Sequence, residues 1–96
     1  MRNQDHLRLS SLSEEISGAA SELARLRERL ADQGTVLGDY QLRMLIAETP
    51  LADRHLHIAA LDYRRIENEV RRLEASLADL QAERRKLAER LPAAEG

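Results

Sequence analysis

The chain has 96 residues and a formal net charge of −2, with 43% hydrophobic, 33% charged and 2% aromatic residues. This length allows one domain, and a core built on large rings is excluded because two tyrosines are the only aromatic residues. The lack of cysteine excludes disulfides and thiolate metal sites, and the small net charge favours neither nucleic acid nor an anionic membrane. We therefore expect a single all-α domain over residues 1–96, built from long helices.

The sequence also carries expectations about source and location. No apolar run approaches the ~18 residues of a membrane span, and the segment from Met1 to Ser13 has no signal-peptide h-region. We expect a cytoplasmic protein with no membrane partner. The 14 arginines against a single lysine suggest a GC-rich bacterial genome.

The first predicted helix spans residues 5–33. Its apolar residues recur at alternating spacings of three and four, which is the a/d pattern of a coiled coil. They are Leu9, Leu12, Ile16, Ala19, Leu23, Leu26 and Leu30. Gly34 follows Gln33 and suits the left-handed position that ends many helices. The pattern therefore predicts the end of the helix at Gln33.

A short second helix and a long third helix follow. Residues 34–38 form a predicted linker, and Asp39 is a suitable N-cap for a helix over 39–48. Thr49 and Pro50 have the residue types of an N-cap and a first helical position, which predicts a helix over 50–91 and a disordered tail over 92–96. The third helix has its own seam: Leu56, Ala59, Tyr63, Ile66, Val70, Leu73, Leu77, Leu80, Arg84, Leu87 and Leu91.

The two seams predict an antiparallel helical hairpin, or coiled coil, of helices 1 and 3. The best register sets Leu30 against Ala59 and ends with Leu9 against Leu80. The flanking pairs are then Arg29 with Asp62 and Arg8 with Glu83. A shift by one heptad is less favourable because it puts Glu15 beside Glu83. A parallel dimer is less favourable because it sets Glu69 against Glu74.

Six apolar residues outside the seams have too few partners within one hairpin. They are Leu42, Leu45, Ile46, Leu51, Ile58 and Leu61. Large exposed apolar patches are rare on stable monomers. We therefore expect helix 2 and the first half of helix 3 to form a small head that dimerises, completing a helical bundle, while the Leu87–Leu91 end stays outside the contact.

The candidate chemistry is sparse. His55 and His57 lie two residues apart and point to different faces of a helix, so with Asp53 they offer fewer ligands than zinc requires. No nucleophile–base arrangement and no glycine-rich phosphate loop is present. We therefore expect no catalytic, cofactor-binding or metal-binding residue, no cofactor, and no enzymatic activity.

A basic ribbon runs along outward positions of helix 3. It comprises Arg64, Arg65, Arg71, Arg72, Arg85 and Lys86. Such a ribbon suits an acidic partner or a phosphate backbone, and its plainer interpretation is a solvated face with internal pairs such as Glu67 with Arg71. Arg84, at a seam position, indicates either a frayed helix end or a docking stripe made of Leu80, Leu87 and Leu91.

The spacing of Leu9, Leu12 and Ile16, followed by Leu23, Leu26 and Arg29, resembles the first helix of the all-helical chorismate mutases, as does the long–short–long layout. That family's motif has Arg and Asp where this chain has Ser13 and Ser17, and it uses a Lys after the first helix. The only lysine here is Lys86. The shared part is helical periodicity, and the family is not assigned.

The sequence therefore favours a non-catalytic coiled-coil module for protein–protein interaction, acting as an adaptor, scaffold or regulator. Its expected partners are a second copy of itself and an unidentified protein, and no nucleic acid. Two alternatives stay open. One is a small all-helical enzyme of chorismate-mutase-like layout without the expected catalytic residues. The other is a nucleic-acid-associated regulator that uses the basic ribbon.

Overall fold

The computed structural model describes residues 2–91, which fold into two long α-helices and no strand. Helix α1 spans Arg2–Ala47 and helix α2 spans Pro50–Arg90. The predicted all-helical fold with antiparallel long helices is confirmed, and α2 has the predicted start and ends within one residue of the predicted position. The predicted disordered tail, 92–96, lies outside the described residues.

The predicted three-helix layout is wrong, because α1 is continuous from Arg2 to Ala47. Gly34 does not end a helix, and among the described residues no glycine has a positive φ. The separate helix predicted over 39–48 is the last part of α1, so Asp39 is a helix-interior residue and not an N-cap. The heptad explains the continuity, since Leu37 and Met44 are half-buried and extend the Leu30 series at intervals of seven.

The connection between the helices consists of Glu48 and Thr49. Glu48 has φ 47°, and its backbone N–H donates to the carbonyl of Met44 at 3.1 Å, which is an αL C-cap. Thr49 Oγ1 accepts a hydrogen bond from the backbone N–H of Ala52 at 3.1 Å. The predicted N-cap at Thr49 and helix start at Pro50 are therefore confirmed.

The chain divides into two compact units. Unit 2 comprises Ala24–Arg72, that is, the second half of α1, the connection and the first half of α2. Within the described residues, unit 1 comprises 2–23 with 73–91 and pairs the first half of α1 with the second half of α2. Among the described residues, the buried apolar side chains of both units lie at the predicted seam positions: Leu12, Ile16, Leu23, Leu26, Ala59, Ile66, Val70 and Leu87.

The predicted register is wrong in unit 2. A Cβ atom at Gly34 would lie 3.4 Å from Cε2 of Tyr63, and Gln33 Nε2 donates to the carbonyl of Ala59 at 3.4 Å. Tyr63 therefore faces the helical turn of α1 that contains Gln33 and Gly34, and it does not face Leu26. The pairing of the two helices is shifted by about one heptad from the predicted register. The two-residue connection explains this shift, because a tight hairpin makes residues at equal distances from the connection face each other.

The helices of unit 1 pair along their whole described length. Asp5 lies 3.8 Å from Arg90, and Leu87 is only 6% exposed. Helix α1 therefore covers α2 well past Leu80, where the predicted register had it end. Arg84 is half-buried within this pairing, so the interpretation of a frayed helix end is also wrong.

One ion pair of unit 1 was predicted from the sequence. Arg8 donates from Nε and Nη2 to both carboxylate oxygens of Glu83, at 3.0 and 2.9 Å, and from Nη1 to Glu15 at 3.2 Å. The hydrogen bond with Glu83 is the main cause that raises the pKa of Arg8 above its usual value. Arg8 thus separates the two like-charged carboxylates that had counted against the shifted register.

Candidate interaction surface

All six apolar residues predicted to meet another chain are exposed in the single chain. Their side chains are between 45% and 78% exposed, with Ile46 the most exposed and Leu61 the least. Val36 is a seventh exposed apolar residue of unit 2. Within the described part of unit 1, Leu7 is the one large apolar side chain exposed to this degree. The surplus apolar surface therefore belongs almost entirely to unit 2.

Part of this surface surrounds two neighbouring cavities on one side of unit 2. The first has a volume of about 280 Å³, and Ile46 and Leu51 contribute to its walls. The second has a volume of about 230 Å³ and is lined in part by Val36 and Ile58. We name this side the His55 face, defined by Val36, Tyr40, Arg43, Ile46, Leu51, His55 and Ile58.

Tyr40 and His55 line both cavities and so form the wall between them. Their ring centroids are 5.6 Å apart with an interplanar angle of 56°. The guanidinium carbon of Arg43 lies 5.2 Å from the centroid of the Tyr40 ring, within the range of a cation–π contact. The three side chains therefore form a cluster that joins α1 to α2, in which Tyr40 is half-buried and Arg43 and His55 are exposed.

The charges on the His55 face are unequally distributed. Arg43 lines the first cavity, while Asp62 lines the second. Asp39 lies one turn before Arg43 on α1 and lines a shallow pocket together with Val36, Tyr40 and Arg43. The walls of the first cavity thus include a cation, and those of the second include a carboxylate that also lies 3.8 Å from Arg65.

The structure divides the predicted interaction residues into two groups. Ile46, Leu51 and Ile58 belong to the His55 face, whereas Leu42, Leu45 and Leu61 line neither of its cavities. Sequence reasoning missed Tyr40, Arg43 and His55 as parts of this surface. The heptad contained a usable signal for Tyr40, which lies seven residues after Gln33 and fourteen after Leu26 in the same series.

The basic ribbon is a set of exposed side chains, two of which pair with carboxylates of their own helix. Arg65 lies 3.8 Å from Asp62, and Arg71 lies 3.6 Å from Glu67, the latter as predicted. Exposed pairs of this kind contribute only a few tenths of a kcal/mol. Their geometry is that of a solvated helix face, and it leaves less free positive charge than the sequence pattern alone indicates.

The described residues contain no group of three or more His, Asp or Glu side chains that could hold a metal ion. His55 contacts Tyr40, and His57 and Asp53 are exposed. Over residues 2–91, neither helix has a stretch that is both long and apolar enough to cross a membrane.

Comparison of the chain with protein-family models, with curated proteins and with solved structures finds no match. The three-helix layout that gave the resemblance to chorismate mutases is not the layout of this chain.

Proposed function

We propose that this protein is a non-catalytic helical interaction module that forms a homodimer through the His55 face of unit 2. The observation that carries the proposal is the exposed apolar surface concentrated on unit 2. In the dimer, two hairpins contribute four helical segments to one bundle. The finished bundle then serves as an adaptor, scaffold or regulator for a further protein partner.

Burial supports this proposal. A two-helix pair covers each helix on one side only, and small chains depend on oligomerisation for a sufficient core. Ile46, Leu51 and Ile58 are each at least half exposed. Covering an apolar side chain of this size stabilises an interface by roughly 1 kcal/mol or more.

The composition of the face supports the same conclusion. Tyrosine and arginine are enriched in protein interfaces because they combine a large contact area with a polar group. Tyr40 and Arg43 occupy the centre of the His55 face and are already held by mutual contact. Little side-chain freedom would be lost when a second surface covers them.

The charges support a second copy as the occupant. A two-fold axis between the two cavities would set the first cavity of one copy against the second cavity of the other. Arg43 of each copy would then approach Asp62 of the other, and apolar residues would meet around them. An isologous contact requires this kind of self-complementarity.

The other functions have weaker support. The enzyme alternative rested on a three-helix layout that this chain does not have. The nucleic-acid alternative rested on the basic ribbon, of which Arg65 and Arg71 are paired with carboxylates. The cytoplasmic location expected from the sequence stays a prediction.

Sedimentation equilibrium at tens of micromolar tests the proposal. The wild-type chain should sediment as a dimer, and Ile58→Glu should sediment as a monomer because a buried unpaired carboxylate is costly. Leu7→Glu is the matched control, since Leu7 is 71% exposed and lies in unit 1. This control should leave the dimer intact.

Two other results would change the conclusion. A wild-type monomer at these concentrations would refute the homodimer. A dimer that Leu45→Glu dissociates and Ile58→Glu does not would place the contact away from the His55 face. Circular dichroism of each variant checks that the helices remain.

A further inference from the structure

Unit 1 contains a cavity that has no part in the proposed dimer. Its volume is about 490 Å³, and it lies open on the surface between α1 and α2. Its walls are formed by Leu9 and Ser13 from α1 and by Gln81, Arg84, Arg85 and Ala88 from α2. We name it the Arg84 cavity.

Arg84 is the one charged residue among the seam positions from Leu9 to Leu30 and from Leu56 to Leu91. Asp5, which continues the same spacing towards the start of α1, lies beside Arg90. The Asp5–Arg90 and Arg8–Glu83 contacts place Arg84 in the layer near Leu12, which is 0% exposed. Further along α2, Leu87 is 6% exposed. Arg84 is half-buried and brings a positive charge into this otherwise apolar part of the seam, where a bound anion would stabilise it.

Within residues 2–91, the walls of the cavity contain no such anion. No residue that lines the Arg84 cavity carries a carboxylate. The carboxylate of Glu83 is bound by Arg8, and that of Asp5 lies beside Arg90. Neither Arg84 nor Arg85 takes part in any of the ion pairs described above.

The polar groups of the cavity are mainly hydrogen-bond donors. Two guanidinium groups offer forked N–H donors, which match the geometry of phosphate and carboxylate oxygens. The Ser13 hydroxyl and the Gln81 amide add further donors, while Leu9 and Ala88 give the cavity an apolar wall. A volume of about 490 Å³ is larger than one inorganic oxyanion needs and lies in the range of small-molecule sites.

We propose that the Arg84 cavity binds a small organic oxyanion. The phosphate or carboxylate of the ligand pairs with Arg84 and Arg85, and its apolar body lies against Leu9 and Ala88. Binding neutralises the charged layer of the seam and links α1 to α2 within unit 1. This site is independent of the homodimer proposed for unit 2.

A titration of the full chain followed by nuclear magnetic resonance of the arginine Nε–H and backbone amide groups tests the proposal, at constant ionic strength. The probes are phenyl phosphate, benzoate, inorganic phosphate and phenol. We expect saturable shifts at Arg84 and Arg85 with phenyl phosphate or benzoate. We expect inorganic phosphate to bind more weakly, because it lacks the apolar body of the ligand. We expect phenol not to bind, because it lacks the phosphate or carboxylate group.

The variant Arg84→Met supplies the sharpest comparison. Met keeps an unbranched apolar chain at the seam, so this variant should melt at a higher temperature than the wild type without ligand. Its affinity for the binding probe should fall about 10-fold to 100-fold, which is the loss expected for one charge-assisted hydrogen bond. Arg72→Met is the matched control, because Arg72 is an exposed arginine of α2 outside the cavity, and its affinity should stay unchanged.

Several results would overturn the site. One is the lack of saturation with both phenyl phosphate and benzoate. Another is equal binding by Arg84→Met and the wild type. Equal affinity for phenyl phosphate and inorganic phosphate would refute the proposed contact of the ligand's apolar body with Leu9 and Ala88. The relative affinity of phenyl phosphate and benzoate then distinguishes a phosphate ligand from a carboxylate ligand.

Discussion

Units 1 and 2 have the same heptad seam and differ in what surrounds it. In unit 1, the seam is flanked by ion pairs between the helices, such as Arg8 with Glu83. In unit 2, it is flanked by exposed apolar side chains and by the contact of Tyr40 with His55. The seam residues pair the helices in both units, while the flanking residues determine which surface is available for another molecule.

The same difference separates the two proposed activities. The His55 face has apolar side chains that are 40% to 78% exposed, which is a reason for association with a second protein surface. The Arg84 cavity has guanidinium groups with no carboxylate among its walls, which is a reason for binding an anion. The first proposal thus starts from exposed apolar side chains, and the second starts from two guanidinium groups that line one cavity.

The largest effects are expected in the seams and should be similar in the two units. Leu12→Ala in unit 1 and Leu26→Ala in unit 2 should each lower the free energy of unfolding by about 2–5 kcal/mol, because both side chains are almost fully buried. Urea denaturation followed by circular dichroism measures this loss. Leu7→Ala, at an exposed position, should change stability by less than ~0.5 kcal/mol.

A small loss of unfolding free energy at only one of the two leucines would show that the seam is not equally important in the two units. It would mean that seam packing stabilises one unit and contributes little to the stability of the other. A loss below about 1 kcal/mol at both positions would contradict the antiparallel pairing itself.

Much of this arrangement was predictable from sequence, and the errors have one cause. The heptad identified the seam residues from Leu9 to Leu30 and from Leu56 to Leu87 correctly. Gln33 and Gly34 were interpreted as a helix end because Gly often occupies that position. In the structure, Gln33 instead donates across the seam to the carbonyl of Ala59.

That single misinterpretation also shifted the register. With helix 1 ended at Gln33, the distance to the second long helix was uncertain, and weak surface charges had to select the pairing. Pairs of this type contribute too little to choose between registers one heptad apart. The position of the connection, at Glu48 and Thr49, determines the register, and Arg8–Glu83 occurs in it because long side chains reach across several residues.

The His55 face was only partly predictable for a related reason. Ile46 and Ile58 can be recognised in the sequence as apolar residues outside the predicted seams. The contact of Tyr40 with His55 depends on the register and therefore could not be derived from a register that was wrong. The Arg84 cavity depends on α1 extending beyond Leu80 of α2, which was likewise excluded by the predicted pairing.

The connection belongs to unit 2 alone and offers an intermediate effect. Thr49→Ala should lower the free energy of unfolding by about 1 kcal/mol, because it removes the acceptor for the Ala52 N–H. Thermal or urea denaturation measures it, and Thr49→Ser, which keeps the hydroxyl, is the control. Equal stability of Thr49→Ala and Thr49→Ser would contradict the cap.

A substitution at the neighbouring residue should act in the opposite direction. Glu48 adopts φ 47°, which is unfavourable for a residue with a Cβ atom and natural for glycine. Glu48→Gly should therefore raise the free energy of unfolding by about 0.5–1 kcal/mol. A destabilising result would show that the helix does not end in the left-handed conformation at this residue.

The glycines inside α1 test the register of unit 2, because Gly34 faces a neighbouring ring while Gly18 and Gly38 do not. Gly18 in unit 1 and Gly38 in unit 2 have open space where a Cβ would lie. Ala at either position should raise the free energy of unfolding by about 0.5–1 kcal/mol through helix propensity alone.

Gly34→Ala should gain less stability, because its methyl group would meet Tyr63 at 3.4 Å. Gly34→Leu should instead destabilise, by about 1–3 kcal/mol, since the larger side chain has no room beside that ring. Urea denaturation of the four variants side by side ranks them. If Gly34→Leu were as stable as Gly18→Ala, Tyr63 would not face Gly34, and the register that underlies the His55 face would be wrong.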